Sequence, residues 1–317
     1  MQVIYFLVQQ TMFFSIPLLI VALGGMFSER SGVVNIALEG LMIIGAFSGI
    51  LFINIFQGVI QGQALLILAL IVAAAAGMLF SLLHAYASIN MKANQIISGT
   101  ALNMLAPALA IFVARMIFNV QQVPFKNEFR IEKVKVLGDI PIIGDLFFRN
   151  TYITTFLGFI ILIIAYIVLF KTKFGLRLRA CGEHPGAADS VGVNVQKIRY
   201  SGVLISGCLA GIGGVVFVIP TSTNFNATVA GYGFLALAVL IFGQWNPKKI
   251  LMAAFLFGFM KTLSSAYSGI PMLNELGLPS VLYKIFPYVV TLIVLAFTSR
   301  KLVAPLALGN VYDKGSR

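Results

Sequence analysis

The side chains with chemical potential in this chain are few and scattered. His84 and His184 stand alone, a hundred residues apart, and neither sits among Cys, Asp or Glu at metal-ligand spacing. No glycine-rich loop of the kind that cradles ATP phosphates occurs, and no Gly-x-Ser-x-Gly turn presents a nucleophile. The two cysteines, Cys181 and Cys208, make no disulfide framework and read as unpaired. Self-contained enzyme chemistry is therefore not expected. The informative polar groups are those embedded in apolar runs, where their desolvation cost points to function. Asn35 and Glu39 are four apart and would share one helix face. Asn94, Gln95 and Ser98 cluster at the start of a later apolar run, with Asn103 further round and deeper. These groups suit either of two tasks: lining a passage for a neutral polar solute, or holding helices together by hydrogen bonds. Residue type alone leaves both open. His84 reads as a hydrogen-bonded core residue, and Gly207, Gly211, Gly213 and Gly214 as a surface for close helix packing.

The elements that must position these groups are membrane helices. Of 317 residues 59% are apolar and 10% charged, and mean hydropathy is +0.97. A soluble domain is about half apolar and a quarter charged, and one core of this length could not hide so much apolar surface. A disordered chain has the opposite bias. Apolar runs predict about nine spans (eight to ten): Ile4–Met26, Val33–Ile53, Ala64–Ser88, Ile96–Phe118, Thr151–Phe170, Ser201–Pro220, Ile250–Ser268 and Val281–Thr298, plus Ala230–Gly243. The last is about 14 residues, too short for a full crossing, and reads as a short or re-entrant helix. The expected fold is an all-α polytopic bundle forming a single membrane domain over residues 1–300, with an outer loop at 119–150 and a tail at 301–317. The first apolar run lacks a basic leader and is read as a span, not a cleaved signal.

The net charge of +12 would favour nucleic acid in a soluble protein; here it follows the loops, and no nucleic-acid partner is expected. With the Lys171–Arg199 loop in the cytoplasm, alternation also places Arg30, Lys92, Lys248, Lys249 and the tail there. Fourteen Lys and Arg then lie inside and six outside. The positive-inside rule thus predicts the N-terminus outside and the C-terminus inside, provided that the short Ala230–Gly243 segment counts as a crossing.

The 171–199 loop contains Gly182-Glu-His-Pro-Gly-Ala-Ala-Asp189, where Pro185 suits a first helical turn and Gly192 a C-cap. The small residues between them would let a partner's groove close around a short helix. Together with Phe174-Gly175, the Gly192-Val-Asn194 and Lys197-Ile-Arg199 runs and the span after it, this loop resembles the permease subunit of bacterial ABC importers, in the branched-chain amino acid, ribose and nucleoside branch. Glu29-Arg-Ser-Gly-Val-Val-Asn-Ile-Ala-Leu-Glu-Gly40, continuing to Phe47, resembles the signature of nucleoside and simple-sugar permeases. Gly231-Tyr-Gly-Phe234, continuing to Pro247, is a third similar motif. The resemblance implies that residues 182–189 (Gly182, Glu183, His184, Pro185, Gly186, Ala187, Ala188 and Asp189) form a coupling helix on a separate ATPase. It adds Tyr232 and Phe234 to Asn35, Glu39, Asn94, Gln95 and Asn103 as residues of the path. It implies a bacterial cytoplasmic-membrane protein that moves a neutral polar solute, most readily a nucleoside, with simple sugars or branched-chain amino acids as alternatives; apart from the resemblance, a self-sufficient secondary transporter is the further alternative. Its implied partners are the ATPase, a paralogous second permease, an external binding protein or lipoprotein, and membrane lipid. No cofactor of its own is implied, since ATP is used by the partner.

Overall fold

The computed structural model describes residues 2–266 apart from 136, the segment 304–313, and isolated positions 279, 282, 285 and 289. Ten α-helices are formed among the described residues: α1 Gln2–Arg30, α2 Leu38–Phe56, α3 Gly62–Ala85, α4 Gln95–Phe118, α5 Ile153–Lys171, α6 Lys173–Glu183, α7 Pro185–Ser190, α8 Val195–Thr221, α9 Tyr232–Phe242 and α10 Pro247–Ala266. Seven of them (α1 to α5, α8 and α10) are long and apolar enough to cross a membrane, and α9 is a shorter apolar helix. The expected ninth span, Val281–Thr298, and the loop before it lie outside the described residues apart from isolated positions.

The bundle is organised around α8, which packs on α1, α2 and α3. Its glycines make this possible. A Cβ on Gly211 would sit 2.2 Å from the Ala73 carbonyl, and one on Gly214 would sit 2.1 Å from the Met42 carbonyl. The glycine run therefore brings helix backbones together, as its composition predicts.

The expectation of a purely helical chain needs one correction. The 119–150 loop takes part in two small antiparallel ribbons, one of them with the segment after α8. β1 (Val123–Pro124) pairs with β4 (Asn224–Phe225), and β2 (Ile131–Lys133) pairs with β3 (Arg149–Thr151). Polar sequence outside the hydrocarbon is free to pair this way, and span hydropathy does not register it.

Helix polarity sorts the charged segments. The end of α1 meets α6 through Arg30 Nη1 and Glu183 Oε1 at 3.6 Å, and meets the chain before α10 through Arg30 Nη2 donating to the Trp245 carbonyl at 3.1 Å. Tyr200 in α8 hydrogen-bonds Asn90 after α3, and Lys92 pairs with Asp313 at 2.6 Å. The segments bearing Arg30, Lys92, Lys171–Arg199 and Lys248–Lys249 and the described part of the tail thus share one end. At the other end Gln9 donates to the Asp145 carbonyl at 2.8 Å and Gln63 to the Phe129 carbonyl at 2.9 Å. The chain around the short helix α9 runs from one end of the bundle to the other. Phe225 is paired with Val123 at the outer-loop end, whereas Trp245 Nε1 donates to Glu29 at 2.6 Å at the basic end.

Candidate functional site

Two breaks in the helical pattern organise the interior, and the embedded polar residues serve them. The first break is at residues 31–37. The run Val33–Ile53 is predicted as one helix, but α2 begins only at Leu38. Gly32 takes a left-handed turn (φ +96), and Asn35 Oδ1 accepts from the Ala37 N–H at 3.2 Å. This local bond competes with the helix. Asn35 and Glu39 consequently do not share a helix face. An irregular backbone inside a membrane protein must find partners there, and the polar candidates supply them. Gln95 Oε1 accepts from Val34 N–H at 2.7 Å. His84 Nε2 donates to the Val34 carbonyl at 2.9 Å, which leaves Nδ1 to accept from Ser98 Oγ at 3.1 Å. Asn103 Nδ2 donates to the Ile36 carbonyl at 2.8 Å, while its Oδ1 accepts from Gly40 N–H at 2.7 Å. Asn35 Nδ2 donates to Ser206 Oγ of α8 at 2.8 Å. Asn94 does a different job. It is the N-cap of α4, with Oδ1 accepting from the amides of Ile96 and Ile97 at 2.9 and 3.2 Å.

The second break runs from Ser222 to Gly231 and ends on Glu39. The Glu39 carboxylate accepts from Gly231 N–H at 2.9 Å through Oε1 and from Gly233 N–H at 2.6 Å through Oε2, with the Phe234 amide also directed at it. It thereby satisfies the first orphan donors of α9 and complements that helix's positive end. Gly233 allows the approach, since a Cβ there would lie 2.3 Å from the Glu39 nitrogen. Tyr232 is buried, with its ring against Phe217 at 4.0 Å and Phe14 at 6.5 Å between centroids. Phe234, in the first turn of α9, is 50% exposed. Of the seven residues expected along a path, five are thus hydrogen-bonded within the bundle or capping a helix, Tyr232 is packed in the core, and Phe234 faces outward.

At the basic end, α6 leads into α7 through a corner at His184. Pro185 occupies the first turn of α7. Gly192 (φ +82) follows its C-cap Val191 and donates to the Asp189 carbonyl at 2.9 Å, while Val193 N–H donates to the Ala188 carbonyl at 3.1 Å. This is a Schellman ending. Ala188 is buried against Cys181 and Val195, which leaves His184, Gly186, Ala187 and Ser190 on the surface. Val191 (78% exposed) and Leu176 (62% exposed) are exposed apolar residues outside the spans. Gly182 is closed in, because a Cβ would meet the Arg30 carbonyl at 2.3 Å.

Sequence reasoning missed the role of the tail. Residues 304–313 lie across this end. Ala307 N–H donates to the Gly182 carbonyl at 2.8 Å, Gly309 N–H to the Gly32 carbonyl at 3.1 Å, and the buried Arg199 to the Asn310 carbonyl at 2.9 Å. The tail so ties the α6–α7 corner to the first break. On the tail's side these three bonds use backbone groups, for which side-chain identity gives no signal.

A family model described as the permease component of branched-chain amino acid transport systems matches residues 7–295. The chain belongs to this permease family. The permease is 45% identical to the guanosine ABC transporter permease protein NupQ of Bacillus subtilis, over 100% of its own length and 99% of that protein. It is 43% identical to the nucleoside ABC transporter permease protein NupC of Lactococcus lactis, over 97% of itself and 96% of the relative. It is also 31% identical to a putative glucose ABC transporter permease protein, TsgC13 of Haloferax volcanii, over 94% of each chain.

Proposed function

We propose that this permease forms part of the translocation path of an ATP-driven nucleoside importer in a bacterial cytoplasmic membrane. The observation that carries this reading is similarity over essentially the whole chain to two permeases named for guanosine and nucleosides. A glucose-named relative favours simple sugars as the second reading. With no phosphate-cradling loop in the chain, the energy comes from a separate ATPase. The exposed face of α7, with its exposed C-cap Val191, is the surface on which that ATPase docks. A paralogous second permease completes the passage and an external binding protein delivers the solute. In the importer assembled from these subunits, labelled guanosine and adenosine should be taken up, with ribose, glucose and leucine competing poorly. Ala187→Arg should abolish both uptake and ATPase co-purification, because a long charged side chain would stand on the docking face. Unchanged co-purification would remove α7 from the interface, and competition by leucine or glucose alone would sink the nucleoside reading.

The basic end is assigned to the cytoplasm, so the outer loop faces outward. Arg130 and Lys197 are both exposed and mark the two sides. On a Cys208→Ala background, Arg130→Cys should react with an impermeant thiol reagent in intact cells, and Lys197→Cys only after permeabilisation. Cys181 gives little background, since burial pushes its thiol up to about 11 against the opposing influence of Arg199. The reverse labelling pattern would invert the topology.

A further inference from the structure

We propose that residues 224–234 wall the solute passage, with Asn226 and Thr228 as a hydrogen-bonding face and Phe234 as the platform on which a flat base stacks. The assignment of a base-bearing solute rests on the nucleoside reading above. Three observations place the wall here. First, the segment has two faces. Asn224, Asn226, Thr228 and Ala230 are exposed, while Phe225 (2% exposed), Ala227 (5%) and Val229 (0%) are buried. Burial thus alternates residue by residue, apolar side in the bundle and polar side outward, along a non-helical chain in which Ala227 and Ala230 take left-handed φ values of +52 and +53 and Thr228 Oγ1 accepts from the Ala230 N–H at 3.1 Å.

Second, this polar face lies at membrane depth. Phe225 belongs to the outer ribbon, but Gly231 is already held by Glu39 inside the bundle. The eleven residues of α9 then carry the chain down to Trp245 at the basic end. Eleven residues rise about 16 Å, roughly half of the ~30 Å hydrocarbon layer. Residues 226–231 therefore travel through the outer part of that layer without helical hydrogen bonding. Non-helical backbone and exposed amide or hydroxyl groups are not tolerated against lipid. They occur at this depth where protein covers them or where they line water.

Third, the chemistry of the face fits a neutral solute with hydroxyls and an aromatic base. Amide and hydroxyl groups present donors and acceptors without fixed charge, and one exposed aromatic ring offers stacking that tolerates different bases. Phe234 is fixed at the foot of the segment, because the start of α9 is clamped by Glu39. The embedded amides Asn35, Gln95 and Asn103 are engaged by the first break, whereas Asn226 and Thr228 are exposed.

Accessibility in the assembled importer tests the wall. Asn226→Cys, Ala227→Cys, Thr228→Cys, Val229→Cys and Phe234→Cys would each be made on a Cys208→Ala background and exposed to a cationic, membrane-impermeant methanethiosulfonate. Positions 226, 228 and 234 should react at least tenfold faster than 227 and 229, and excess guanosine should slow them. Equal reactivity along the segment, or unreactive 226 and 228, would overturn the proposal, the latter by placing the face against a partner protein. Alternating reactivity protected by glucose but not guanosine would uphold the wall and overturn the nucleoside reading. In uptake, Phe234→Ala should lower guanosine transport about tenfold with the complex still assembled, and Phe234→Tyr should restore most of it. Full uptake by Phe234→Ala would remove the stacking role.

Discussion

Replacing Glu39 by alanine is expected to abolish uptake and to destabilise the permease by about 3 kcal/mol or more, reckoned from the cost of orphaning buried donors that had a charged partner. The carboxylate is buried and accepts from Gly231 and Gly233 at 2.9 and 2.6 Å. Removing it leaves those amides without their charged acceptor at the start of α9. The loss reaches function because the same clamp sets the position of Phe234 and of the non-helical segment before it. Glu39→Gln retains one acceptor oxygen but turns an NH2 group toward the second amide, so it should recover little of the loss. Glu39→Asp keeps both oxygens on a side chain one methylene shorter and should fall between. Thermal unfolding in detergent and guanosine uptake would be measured side by side. Wild-type stability together with wild-type uptake for Glu39→Ala would show that α9 does not depend on the clamp.

Glu39 also marks the limit of what the sequence discloses. Its cost in an apolar run singles it out as meaningful, and the choice between a path residue and a bundle-holding residue stays open until a partner 192 positions away is seen. The same holds for Asn35, Gln95, His84 and Asn103. Their residue types are conspicuous, but their task is to satisfy the backbone of residues 33–37, and hydropathy conceals that those residues are not helical. Val33–Ile53 is continuous as transfer free energy, whereas a helix start is decided by local hydrogen bonding. The available signal was Gly32 followed by Asn35, a turn glycine and a side chain able to bond its own backbone. Where local chemistry decides, the reading was close. Pro185 and Gly192 bracket α7, and the short Ala230–Gly243 run anticipates α9 at Tyr232–Phe242. The long spans were legible because the hydrocarbon imposes a length on them. The polar alternation of residues 224–230 was present in the sequence too, but its seven residues are read as a loop unless their depth is known.

The glycines of the α2–α3–α8 crossing should be the least replaceable residues of the chain. A Cβ on Gly45 would lie 2.2 Å from the Gly211 Cα, one on Gly77 2.3 Å from the Gly207 carbonyl, and one on Gly207 2.4 Å from Ser81 Oγ. The obstructing atoms at Gly45, Gly77, Gly211 and Gly214 are backbone, which cannot rotate aside as a side chain can. Alanine there must push whole helices apart, and overpacking of a dense interior already costs 1–3 kcal/mol where flexible groups can yield. For Gly211→Ala and Gly214→Ala we expect losses on the order of 3 kcal/mol each, at or beyond the upper end of that range, with expression and uptake falling together. Separation of α8 from α2 would also draw Ser206 away from Asn35 and loosen the first break, so the two substitutions should not be additive with Asn35→Ala. Gly58→Ala is the control, because a Cβ there meets nothing within 4 Å. Detergent thermal stability of the purified permease would be compared across the set. If Gly211→Ala and Gly214→Ala unfold at the same temperature as Gly58→Ala, close backbone contact is not what holds this bundle together.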